Sequence, residues 1–209
     1  ATTLDPHKVG YPGETTIMSD LFVGLSTLDI LAKPIPGAAQ SWSVSTDGRT
    51  WTFRMRSGQR WSDGTPLTAR DFEYSLRRAL APATAFPYAG RLYMIRNARA
   101  VNGGSLAPTQ LGVRAVDATT LVIELDNPAP YLPEVLASFA MPVPQAVVEK
   151  YGDAWTRPPT LITNGPFKLV DWKFKREMRL EKNEHYWNRD RVGTDSIAIA
   201  VVDDRNAAV

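Results

Sequence analysis

The sequence predicts a mixed α/β fold, and three observations carry that prediction. Apolar residues alternate with polar ones at period two in three separate stretches, residues 51–55, 113–125 and 167–181. Between them, Phe72, Leu76, Ala79 and Leu80 recur at the i, i+4, i+7, i+8 spacing of a helix that buries one stripe. Elsewhere proline and glycine bracket short helical runs, with Pro where a helix begins and Gly where it stops.

Taken in chain order, residues 14–24 read as a helix with Ile17, Met18, Leu21 and Phe22 inward and Gly24 closing it. Asp47-Gly48, between apolar patches around Trp42 and Trp51, marks a hairpin turn. In the strand after it, Trp51, Phe53 and Met55 share one face, while Thr52, Arg54 and Arg56 share the other. Ser57-Gly58 ends that strand, and Ser62-Asp63-Gly64-Thr65-Pro66 supplies the backbone freedom and the fixed φ of a compact reversal. Thr68 is placed to cap the helix that starts near Ala69, with Asp71 three residues on to reciprocate, and Pro82 stops it. Val113 and Ala115 face Leu121, Ile123 and Leu125 across a turn at 117–120. Residues 25–142 therefore form a β-rich unit with one good helix.

Beyond it, "NPAPYLPEVLA" and "VPQAVVEKYGDAW" each open a short helix with proline, and Gly152 closes the second. A further hairpin follows, with Phe167 and Leu169 set against Met178 and Leu180. "DSIAIAVVDD" is a continuously apolar run of the type buried on both faces of a sheet, and such a strand needs neighbours on each side. With only "RNAAV" after it, the chain is expected to be a piece of a longer protein.

Composition narrows the function classes. The 209 residues carry 24 basic and 22 acidic side chains, a near balance that offers no global attraction to a polyanion. No cysteine is present, so disulfides, thiolate nucleophiles and Cys metal clusters are all excluded for this chain. No apolar run approaches the roughly 20 residues of a spanning helix. His7 and His185, the two histidines, have neither metal-ligand spacing nor a neighbouring nucleophile, and read as ordinary surface or hydrogen-bonded side chains. There is no G-x-S-x-G elbow, Walker A loop or G-x-G-x-x-G. Asp203-Asp204 and Glu181 with Glu184 are better explained as exposed strand and cap residues than as an acid and base pair. Ten arginines between Arg49 and Arg99 crowd the region of Trp51, Phe53 and Trp61, as in a single-strand nucleic-acid groove. Period two, however, puts Trp51 and Phe53 opposite Arg54 and Arg56, so the aromatics are core and the arginines a solvated face. The six tryptophans are likewise read as packing residues rather than a sugar-stacking platform.

In order along the chain, "LDPHK", "DLFVGL", "PGAAQSW", "DGRTWTFRMRSGQRWSDGTPLTARDFEYSLRRAL", "LGVRAVDATTLVIELDNPAPYL", "MPVPQAVVEKYGDAW", "TNGPFKLVDW" and "LEKNEHYW" resemble the extracytoplasmic solute-binding proteins of peptide ABC transporters. "FPYAGRLY" is similar to the oligopeptide-binding branch of that family. The resemblance implies a periplasmic-binding-protein-like bilobal fold with an extra inserted lobe: residues 1–22 and 145–209 in the first clasping lobe, 23–144 in the inserted lobe, and the second clasping lobe after Val209. It implies a carrier without a cofactor or metal, monomeric, periplasmic or lipid-anchored outside the cell, whose partners are a peptide ligand and a membrane permease, not nucleic acid. The ligand would lie extended between lobes, held by strand-like main-chain bonds. By resemblance Gly10, Tyr11 and Pro12 run along one edge of the slot, although Pro12 has no N–H to donate. Tyr88 matches a ligand-facing tyrosine, and its alternative is a core aromatic. The acidic group that captures the peptide amino terminus belongs to the second lobe, so none is assigned here. Binders of dipeptides, nickel chelates or oligosaccharides share the fold and compete with this reading; a hydrolase and a single-strand nucleic-acid binder compete from other classes.

Overall fold

The computed structural model describes residues 3–10, 12–174 and 176–200, together with the backbone alone for residues 12–15. Helix α1 (Pro12–Leu21) is followed by the small hairpin β1 (Ser26–Leu28) and β2 (Pro34–Pro36). The central sheet holds β3 (Ala39–Val44), β4 (Thr50–Met55), β5 (Val113–Asp117) and β6 (Thr120–Glu124) in the antiparallel order β3-β4-β6-β5. Helix α2 (Ala69–Leu80) and the single-turn α3 (Ala98–Asn102) lie between β4 and β5 in sequence, and α4 (Leu132–Phe139) and α5 (Gln145–Tyr151) follow β6. A second antiparallel sheet orders β7 (Phe167–Lys173), β8 (Glu177–Lys182) and β9 (Ser196–Ala200) consecutively.

The registers follow from the turns and the alternation. Gly48 takes φ +71° in the β3-β4 turn, so Trp42 pairs with Phe53 and Val44 with Trp51. Val113 pairs with Ile123 and Ala115 with Leu121, which puts both expected partners on the inner face. Trp51, Phe53 and Met55 are buried as their period requires. The Asp71 carboxylate accepts the Thr68 N–H at 2.8 Å and the Thr68 hydroxyl at 3.0 Å, closing the first turn of α2 as a capping box. Phe72, Leu76, Ala79 and Leu80 then bury their stripe against the sheet.

Two expectations are corrected. The first helix runs 12–21 rather than 14–24, because Pro12 suits the opening turn of a helix, where a missing N–H costs nothing. Gly24 does not cap it. That glycine is a close-approach residue, since a Cβ there would come 2.9 Å from the Leu136 carbonyl oxygen of α4. The described part of "DSIAIAVVDD" is also one-sided: Ile197 and Ile199 are half-buried, while Ser196, Ala198 and Ala200 are exposed. The small residues between the isoleucines leave that face open where β9 is the outer strand among the described residues; residues 201–204 of the run lie outside the described part.

Buried side chains form two clusters. One gathers residues from Leu25 to Ala140 around the central sheet and α2. The other joins Leu4, Val9 and the inner face of α1 to Val143, Val148, Trp155 and the β7-β8 hairpin. Their seam is polar. The Asn164 side chain accepts the Val23 N–H at 3.0 Å and donates to the Val23 carbonyl at 2.7 Å, a side chain acting as a strand partner. Ser62 and Thr163 bond twice across the same seam, at 2.8 and 3.0 Å. Gly165 packs so closely that a Cβ would lie 2.6 Å from the Leu21 backbone.

Candidate functional site

The segment Asp5–Gly10 leaves the second, smaller cluster and reaches an open groove of about 490 Å³. Val9, Met18, Leu28, Phe86, Phe139 and Met141 supply much of its apolar wall, and none of its lining residues carries a formal charge at neutral pH. The groove is assembled from five parts of the chain: the Asp5–Gly10 segment, α1, β1, the loop after α2, and the end of α4 with Met141. Phe86 meets Tyr88 edge to face at 5.9 Å, and Tyr88 meets Phe139 at 5.3 Å, so an aromatic row lines one side.

Of the four predicted site residues, the structure brings two together. The Tyr88 hydroxyl donates to the Gly10 carbonyl at 3.3 Å, and Tyr88 is half-buried at the groove while Gly10 is exposed. A Cβ at Gly10 would meet Pro87 only at 3.8 Å, so space does not demand glycine there. Pro12 opens α1, which places its backbone in a helix rather than along an extended edge. Tyr11 lies outside the described residues.

Beneath the groove is a network that sequence reading missed. Arg78, near the end of α2, binds Asp5 with both guanidinium nitrogens, Nη1 to Oδ1 at 3.0 Å and Nη2 to Oδ2 at 2.6 Å. Arg78 Nη1 also lies 2.8 Å from His7 Nδ1, and His7 Nε2 lies 3.0 Å from the Met141 carbonyl oxygen. The guanidinium only donates and the carbonyl only accepts, so Nδ1 is the bare nitrogen and Nε2 carries the proton. Asp5 further accepts the Trp155 indole N–H at 3.1 Å and the His7 backbone N–H at 2.9 Å. Burial pushes the His7 imidazole down to about 4 against the opposing pull of Asp5, with Arg78 adding to the depression. Burial pushes Asp5 up, but the Arg78 hydrogen bond and the neighbouring positive charges outweigh it and hold the carboxylate below its ordinary range. The available signal was an arginine beside the buried stripe of α2, opposite an Asp-Pro-His run in apolar surroundings.

The arginine-rich region keeps its aromatics inside. Trp51, Phe53 and Trp61 are buried. Arg54 donates to the Thr120 hydroxyl at 2.9 Å, and Arg96 pairs with Glu124 at 2.6 Å. Arg56 lies over the Trp187 ring at 3.7 Å, so that cation and that ring are spent on each other. His185 is exposed and His7 is hydrogen-bonded, as their sequence context indicated.

The profile of the bacterial extracellular solute-binding proteins, family 5, matches residues 33–209. The chain belongs to this family. Within the family-5 solute-binding proteins, it is 42% identical over 189 residues to the periplasmic oligopeptide-binding protein OppA of Escherichia coli, covering 89% of this chain and 35% of that one. It is 40% identical over 210 residues to the E. coli periplasmic murein peptide-binding protein MppA, covering 99% and 38%. The unliganded open form of MppA superimposes with a TM-score of 0.93 at 40% identity, over 99% of this chain and 40% of that one. Haemophilus influenzae OppA in complex with RPPGFSPFR gives 0.92 at 38% identity, over 96% and 40%. The chain thus spans between a third and two-fifths of the length of these family-5 relatives, and its mixed α/β architecture is that of the periplasmic-binding-protein fold. Among the described residues no helix is long and apolar enough to cross a membrane.

Proposed function

We propose that this chain forms one wall of the ligand cleft of an extracytoplasmic peptide-binding protein that serves an ABC importer. The reading rests on one observation: in a chain 42% identical to an oligopeptide-binding protein, the Gly10 carbonyl and the Tyr88 hydroxyl meet at 3.3 Å on the rim of an uncharged groove. An extended peptide laid along Gly10, Tyr11 and the approach to α1 would find main-chain groups there, and the groove would take side chains without demanding a charge. Main-chain bonding supplies affinity that is largely indifferent to sequence, and water in the remaining space bridges polar side chains at small cost.

The two buried clusters support the assignment of residues 1–22 and 145–209 to one clasping lobe and 23–144 to an inserted lobe, with a second clasping lobe facing the groove. Closure of the two clasping lobes would hide the ligand and create the surface read by the permease. No step in this cycle breaks a covalent bond, so the protein acts as a periplasmic carrier rather than an enzyme. The direct test is mass spectrometry of ligand released on denaturing the intact, natively purified protein. Mixed short peptides are expected; a single sugar, a metal chelate or a hydrolysed product in their place would overturn the reading.

A further inference from the structure

We infer that Arg78, Asp5 and His7 are positioning residues that hold the Gly10 edge against the groove wall. This deepens the proposed function and rests on it. The geometry points to such a role because the three side chains tie together three of the stretches that frame the groove: the Asp5–Gly10 segment, Met141 after α4 and Phe86 in the loop after α2. Arg78 belongs to α2, Asp5 and His7 to the segment that ends at Gly10, and the His7 acceptor, Met141, lines the groove itself. The His7 ring also meets Phe86 edge to face at 5.8 Å, and Phe86 in turn supports Tyr88. One imidazole therefore sets the spacing between the two sides. His7 is 1% exposed and Asp5 2%, so neither is free to contact a ligand and both act through Gly10, Met141 and Tyr88.

A bidentate guanidinium and carboxylate pair is geometrically demanding, which suits it to fix a backbone segment rather than merely fill space. Once Asp5 is locked, its Oδ1 also accepts the His7 N–H at 2.9 Å, so the turn leading to Gly10 is set by the same carboxylate. The charged and titratable groups facing His7 are Asp5 on its own segment and Arg78 on α2; Tyr74, also on α2, faces the same pair. The elements of Met141, Phe86 and Trp155 present a carbonyl, a ring and an indole.

The test compares peptide affinity of the intact protein with that of His7→Leu and His7→Gln, using one extended oligopeptide by calorimetry from pH 7.5 to about 3.5, across the range in which the folded imidazole takes up its proton. Glutamine can donate to Met141 and accept from Arg78 as the imidazole does, whereas leucine keeps volume and loses both bonds. Expected are a loss of about tenfold or more for His7→Leu at neutral pH, recovery for His7→Gln, and an affinity that weakens as pH falls through about 4 in the wild type by more than in His7→Gln. Wild-type affinity in His7→Leu, or the same pH profile in wild type and His7→Gln, overturns the inference. Amide hydrogen exchange at residues 8–10 separates the two readings. If the wild type binds no peptide, the proposed function fails, and the positioning role then stands on faster exchange in His7→Leu or falls with unchanged exchange.

Discussion

At the scale of single residues, His7 shows how burial converts a common side chain into a structural one. Its neutral form is selected because burial penalises an imidazolium, which would also face the Arg78 guanidinium at 2.8 Å. The consequence for stability has a definite sign. In the unfolded chain His7 binds a proton near its ordinary value of 6.5, whereas in the fold it resists until about 4. Between those values the unfolded state holds more protons, so stability present above pH 6.5 is lost as pH falls toward 4. A depression of that size corresponds to roughly 3 kcal/mol over the window. Asp5, lowered in the fold, adds a further loss as pH falls below the ordinary carboxylate range. Denaturant unfolding of the wild type and of His7→Gln across pH 7.5 to 4 checks this: the wild type should lose more stability than the variant, and parallel curves would contradict the assignment.

At the scale of elements, much of the fold was legible because its instructions are local. Asp47-Gly48 set the β3-β4 hairpin, the alternation of Trp51, Phe53 and Met55 set its inner face, and Thr68 with Asp71 fixed where α2 begins. What was not legible depended on distance or on ambiguity. The β1-β2 hairpin has three-residue strands, one of them Pro-Ile-Pro, too short for a period to register. By resemblance Pro12 reads as a slot residue, yet its fixed φ and missing N–H suit the first turn of a helix equally well, and it opens α1. Arg78 and Asp5 are 73 positions apart, and no spacing rule connects them. Asn164 is similarly invisible to periodicity, yet it replaces a strand at the seam by pairing with both polar groups of Val23. Removing its amide in Asn164→Ala leaves a buried N–H and a buried carbonyl without partners, at a cost of about 2–4 kcal/mol. The expected result is a clear drop in the unfolding midpoint of the intact protein, and a midpoint equal to wild type would show that water or a shifted backbone replaces the side chain.

At the scale of the whole molecule, the seam places the proposed ligand edge between two cores. The Asp5–Gly10 segment emerges from the smaller cluster, the aromatic row comes from the larger one, and the buried bonds of Arg78 and Asn164 clamp them together. A groove formed this way is rigid on one side, which lowers the ordering cost of binding an extended chain. The candidate site was only partly legible for the same reason: Gly10 and Tyr88 were named by resemblance, while the groove beside them is lined by five distant segments and no single motif. Hydrogen exchange of the intact protein with and without a saturating extended oligopeptide tests the central claim most directly. Protection is expected at residues 8–11 and at Phe86 and Tyr88, beside the Gly10 and Tyr88 contact, with the β5-β6 hairpin unchanged. Protection confined to the central sheet, or none at all under saturation, would contradict it.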